Sequence, residues 1–147
     1  GDADFGLVAL ALARRILVVT IPVSVKGVVV IDGRVLLLRN DRDEWDLPGG
    51  RPDAGESHEA AVVREAREEA NVEVAALDCL DDWPYEVLPG RFVRILAYGC
   101  QVIDASRMTL GSEHLELRLF APNELDGLRL YEGYRRVIER WFARATR

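Results

Sequence analysis

Residues 49–72 read GGRPDAGESHEAAVVREAREEANV. The paired glycines after Pro48 open a loop, because glycine admits dihedrals and close approaches denied to other residues. Ser57 is placed to cap a helix that runs to about Ala70, with Glu59 in its first turn, where the helix dipole favours an anion. Val62, Ala66 and Ala70 recur at helical spacing with Val63 beside them, a narrow stripe that can lie close against a sheet. Next to that stripe Glu65, Glu68 and Glu69 share one face, since positions three and four apart are neighbours. Their repulsion, and the adverse dipole in the last turn, cost a few tenths to about 1 kcal/mol each. An isolated helix of this kind would present a solvated acidic face, whereas a hard, oxygen-seeking cation would turn the repulsion into attraction. The preceding loop favours the cation: carbonyls at Gly49 and Gly50 can approach the carboxylates, and Glu56 adds a further oxygen. Arg64 reaches Glu68 at one turn. Asn71 occupies the position that commonly turns left-handed, where asparagine is second to glycine.

On either side of this segment the pattern is that of strands. Val23–Ile31 is β-branched, Asp32-Gly33 is a tight-turn dipeptide, and Arg34–Arg39 returns as the second strand of a hairpin. Residues 40–44 form a polar loop and residues 45–47 a short extended piece. Two more strands are expected over residues 72–80 and 92–102, with Trp83, Pro84, Tyr85, Pro89 and Gly90 in the connection between them. Residues 115–120 alternate apolar and charged as a half-buried strand does. A closing helix is predicted over residues 131–144, where Tyr134, Val137, Ile138 and Trp141 recur at helical spacing. The expected fold class is α+β, with helices covering a central sheet.

The 147 residues suit one compact domain, and 49% hydrophobic with 30% charged residues is ordinary for a globular chain. A net charge of −6 argues against polymeric nucleic acid as a partner, but not against a small phosphate ligand, because a bound dication reverses the local field. Cys79 and Cys100 lack metal-type spacing and lie in apolar runs. They are read as reduced packing residues, which points to a cytoplasmic protein. Residues 5–13 are apolar, yet Arg14 and Arg15 interrupt them well before membrane-spanning length, and Asp2 and Asp4 precede them where a secretory signal would carry positive charge. A short amphipathic helix or an extended piece is expected there, in an N-terminal segment (residues 1–20) packed on the domain (residues 21–147) or on a second subunit as a homodimer, without stable membrane insertion.

Gly50, five residues, Glu56, seven residues and then Arg64-Glu65-Ala66-Arg67-Glu68-Glu69-Ala70-Asn71-Val72 resembles the signature of the Nudix hydrolases, G-x5-E-x7-R-E-U-x-E-E-x-G-U with U a bulky aliphatic residue. Asn71 stands in place of the final glycine and Ala66 is smaller than the usual aliphatic; neither change touches a carboxylate. The resemblance implies an α/β/α sandwich with a mixed central sheet that hydrolyses a nucleoside diphosphate linked to another moiety, such as ADP-ribose, another nucleotide sugar, a dinucleotide or a nucleoside triphosphate. It implies Mg²⁺ or Mn²⁺ as cofactor, held by Glu65, Glu68 and Glu69 with the carbonyl of Gly49 or Gly50. Glu56 is then an outer or additional ligand, and Arg64 orients the glutamates. A further carboxylate is expected from a later loop, best matched by Glu113, with Glu116 as the alternative. Glu65, Glu69 and Glu113 each qualify as the base that takes a proton from metal-bound water. Trp45 and Trp83 are candidates to stack on a base or sugar and Arg51 to bind phosphate, while His114 borders the candidate loop. The reading from another class is a non-catalytic nucleotide-sensing domain of the same fold.

Overall fold

The computed structural model describes residues 7–9 and 18–145 of the chain. Strands β1 (Leu7–Ala9) and β2 (Val18–Thr20) pair antiparallel as a ladder of their own. Of the helical and extended alternatives, residues 7–9 take the extended one, their backbone groups finding partners across the ladder. The rest of that stretch, with its expected packing on the domain or a second subunit, lies outside the described residues.

Strands β3 (Val23–Ile31) and β4 (Arg34–Arg39) form the predicted hairpin. Its turn residues Asp32 and Gly33 have φ of 50° and 75°, the two positive values that match the twist of a two-residue hairpin. β4 also pairs with β5 (Trp45–Asp46) and β9 (Glu116–Phe120). β3 pairs in parallel with β8 (Arg91–Asp104) and antiparallel with β6 (Gly49–Gly50), and β8 pairs antiparallel with β7 (Glu73–Leu88). The sheet is thus mixed, with the order β5-β4-β3-β8-β7 along its main path.

Two helices cover its opposite faces. On β4, Val35 and Leu37 share a core with Tyr134, Val137 and Ile138 of α2 (Glu132–Ala145). Leu36 and Leu38 turn the other way, to Ala61, Val62, Ala66 and Ala70 of α1 (His58–Ala70). All four β4 residues are fully buried, as an uninterrupted apolar strand between two layers requires. This is the expected α/β/α arrangement.

The β7–β8 hairpin departs from expectation. It continues to Leu88, turning at Pro89-Gly90, so Trp83, Pro84 and Tyr85 belong to a strand and not to a connection. Pro84 reads as a breaker in sequence, but β7 is an edge strand, where a missing N–H interrupts no inner ladder. Register shifts along β7, including those between Ala76 and Asp78 and between Glu86 and Leu88, mark where the long ribbon bends. Both cysteines are free; Cys100 is buried as expected, whereas Cys79 on this edge strand is exposed. No helix among the described residues is long and apolar enough to cross a membrane.

Candidate active site

Helix α1 is held at both ends. The Ser57 hydroxyl accepts the Ala60 N–H at 3.1 Å, and Asn71 adopts the left-handed conformation (φ 53°, ψ 42°) as it closes the helix. The last turn leaves carbonyls without intrahelical partners. A loop of residues 105–114 supplies them: Thr109 N–H donates to the Ala70 carbonyl and Gly111 N–H to that of Glu69, each at 2.9 Å. Asn71 Nδ2 donates to the Arg107 carbonyl at 3.0 Å. A Cβ on Gly111 would stand 2.6 Å from the Glu68 carbonyl oxygen, so the approach needs glycine. Docked this way, the loop brings Ser112, Glu113 and His114 beside Glu69.

The other wall is β6. Gly49 and Gly50 do not form an open loop but pair with Lys26 and Val25 of β3. Gly49 N–H donates to Glu69 Oε1 at 2.7 Å. A Cβ on Gly50 would lie 3.0 Å from the Glu65 carboxylate, so bare backbone faces that side chain. Arg64 joins the remaining acids. Its guanidinium grips Glu56 through Nε and Nη2 at 2.9 and 3.0 Å, and reaches Glu65 at 2.8 Å, Glu68 at 3.2 Å and the Arg51 carbonyl at 3.1 Å. Arg64 and the Asp53 N–H lower the pKa of Glu56 below the usual carboxylate value.

Burial sets Glu69 apart. Only 6% of its side chain is exposed, and its pKa is pushed up to about 8. Burial is the main cause, opposed by the Gly49 N–H and Lys26 and reinforced by Glu65 and Glu113. Burial likewise raises Glu65, although Arg64 pulls the other way. His114 Nδ1 lies 3.4 Å from Glu69 Oε2, with its own pKa lowered by burial. Glu68 stays 56% exposed, and Glu113 faces it and Glu69 across a recess of about 220 Å³. Glu116, the alternative to Glu113, is tied to Arg39 at 3.0 Å on the sheet.

Among the described residues, no three His, Cys, Asp or Glu side chains are gathered at metal-ligand spacing, and Glu65 and Glu68 are bonded to Arg64 instead. The donor set nevertheless fits a hard dication. It consists of oxygen atoms alone, and two of its carboxylates are driven by burial toward the neutral form, which a dication would reverse.

A pH dependence follows for the metal-free protein. Between about 4.5, the usual carboxylate value, and about 8, the folded state keeps on Glu69 a proton that the unfolded chain releases. Stability is therefore complete below this window and falls as pH rises through it, by up to about 1.4 kcal/mol per pH unit. Thermal melts in chelator from pH 5 to 8 should show this slope, and Glu69→Gln should flatten it. An unchanged slope in the variant would remove Glu69 as the cause.

Beside the glutamates a cleft of about 1090 Å³ opens from Gly50. Trp45 and Arg51 line it, with Tyr85, Tyr131 and Tyr134 as an aromatic wall. Trp45 itself is mostly buried, edge-on to Phe120 with ring centroids 4.9 Å apart. Trp83 is not part of the lining: its indole N–H donates to Tyr131 Oη at 2.9 Å and Arg136 covers its face, so it braces the wall from behind. Lys26 also belongs to this site: its Nζ lies over the Tyr134 ring and its charge acts on Glu69. Its only signal is a lone cation in a β-branched strand. Tyr131, Tyr134, Arg42 and Arg129 carry none, since distant segments bring them here.

The site thus lies where a glutamate-bearing helix docks against a glycine pair, on a mixed sheet between two helices. The chain matches the NUDIX domain over residues 21–141 and belongs to the Nudix family of hydrolases. It is 54% identical over 41 residues to a Bacillus subtilis (strain 168) protein provisionally named 8-oxo-dGTP diphosphatase, a match covering 28% of each chain. It is 48% identical over 54 residues to a MutT-like protein of Streptomyces ambofaciens, covering 35% of each. The match thus spans about a third of these curated relatives. Among solved structures, the E. coli ORF135 protein superposes with a TM-score of 0.69 at 27% identity, covering 86% of this chain and 93% of that one.

Proposed function

We propose that this domain hydrolyses the diphosphate linkage of a nucleoside diphosphate derivative with Mg²⁺ or Mn²⁺ as cofactor. The observation that carries the reading is the burial of Glu65 and Glu69 against the Gly49-Gly50 backbone, at the mouth of a cleft large enough for a nucleotide. Glu65, Glu68 and Glu69 would hold the metal, with a carbonyl of the glycine pair; Glu56 and Arg64 orient them. A bound dication neutralises diphosphate oxygens and lowers the pKa of water. The chain supplies the rest. Arg64 fixes the rotamers of Glu65 and Glu68, and the Gly49 N–H fixes that of Glu69. Glu113 forms no hydrogen bond to Arg64 or Gly49, and sits across the recess from the other two carboxylates. We assign it the proton of the attacking water. Lys26 and Arg51 flank the glycine pair and bind the diphosphate, while Trp45 and the tyrosine wall take the base or sugar. The name of the Bacillus subtilis relative, an 8-oxo-dGTP diphosphatase, agrees with this substrate class.

Phosphate release over nucleotide sugars, dinucleotides and nucleoside triphosphates tests the proposal. Turnover should require Mg²⁺ or Mn²⁺, vanish with chelator and return on adding metal. Tight nucleotide binding with no turnover across the panel would make the domain a sensor.

A further inference from the structure

Five cations line the cleft, Lys26, Arg42, Arg51, Arg91 and Arg129, and of these only Arg42 forms an ion pair among the described residues. Among the described residues most arginines are held in ion pairs. Those that form none are Arg34, Arg51, Arg91, Arg107 and Arg129, and three of these five line this cleft. They come from three separate segments of a chain whose net charge is −6. The acids that share the cleft are already engaged: Glu44 accepts from Arg42 at 2.9 Å and Asp46 from Asn40 Nδ2 at 2.9 Å. Arg129 is close enough to help lower the pKa of Glu44, but forms no ion pair with it.

These cations do not all sit at the cleavage point. Gly50 pairs with Val25, which stands opposite Leu96 on β8. Arg91 is five residues further along β8, roughly 16 Å at the rise of a strand. Arg129 lines the cleft as well, and its carbonyl accepts the Trp45 N–H at 2.9 Å. Arg51 adjoins the glycine pair and suits the diphosphate; Arg91 and Arg129 have no such assignment.

We infer that Arg91 and Arg129 form a second anion subsite, which selects substrates whose far moiety carries phosphate of its own, such as dinucleoside polyphosphates, over conjugates of a neutral sugar. The inference rests on the cleft being the substrate site proposed above. Diadenosine tetraphosphate and ADP-glucose share adenosine and a diphosphate and differ in the charge of the rest. With Mg²⁺, kcat/KM should favour diadenosine tetraphosphate by tenfold or more, and added salt should erode the preference. Arg91→Glu and Arg129→Glu should each reduce the ratio of the two kcat/KM values about fivefold, mainly through KM. A wild-type ratio of one or below would overturn the subsite, as would variants that weaken both substrates equally, since the cations would then act on the shared diphosphate. Calorimetric affinities of the two nucleotides for Mg²⁺-loaded protein give the same ratio without catalysis. Absent turnover would thus strike the hydrolase reading, while the affinity ratio decides the subsite.

Discussion

Glu69→Gln should lower turnover on the order of 10²–10³-fold or more and leave the domain folded. Glutamine keeps the volume of the side chain and an oxygen to accept the Gly49 N–H at 2.7 Å, so the junction between α1 and β6 survives. What it removes is the negative charge that a dication would bind. In metal-free protein near pH 8 the variant should even be the more stable one, because burial of an ionised carboxylate is relieved. Glu68→Gln should give a comparable loss of activity for a different reason: Glu68 is exposed and contributes little to packing, so only its charge is at stake. Phosphate-release rates with saturating Mg²⁺, alongside circular dichroism of each variant, decide the matter. Near-wild-type turnover in both variants would contradict the assignment of this face as the metal site.

Gly49→Ala should destabilise the domain by about 3 kcal/mol or more, at the upper end of what overpacking does. A Cβ there would fall 1.9 Å from the Val25 carbonyl oxygen and 2.9 Å from the Lys26 Cα, backbone atoms that cannot turn aside as a side chain does. Relief would require the short β6 ladder to part from β3. Gly50→Ala makes an instructive contrast. Its Cβ would meet only the Glu65 carboxylate at 3.0 Å, a flexible group, so the domain should fold while that carboxylate is displaced. Urea unfolding should separate the two variants clearly. If Gly49→Ala unfolds at the wild-type midpoint, β6 is not seated on β3 as described.

Much of the domain was legible from local pattern. Helix α1, its serine cap, its left-handed asparagine and the shared face of three glutamates all follow from spacings within one or two turns. The double burial of β4 is likewise visible in Val35 to Leu38, a run with no polar break. What escaped depends on contacts distant in sequence. Pro84 signals a break unless the strand is known to lie at an edge. Trp83 suggests ligand contact, and nothing near it in sequence shows that its indole N–H goes to Tyr131, a lining residue from the far end of the chain. Lys26 gains its role only because β6 folds onto β3 while its Gly49 N–H holds Glu69 of α1. Nor does spacing reveal that Arg64 gathers carboxylates from both the loop and the helix, so that the metal-free arrangement is knit by a guanidinium.

The docking of residues 105–114 onto the end of α1 ties two parts of the chain into one cooperative unit. The same amides that finish the helix also hold Glu113 across from Glu69. Fraying of the final helical turn therefore does not merely loosen a terminus; it carries off a carboxylate more than forty positions away in sequence. Local opening at this corner is all-or-none for the chemistry: the acid that would bind the cation and the acid that would receive the proton are present together or lost together.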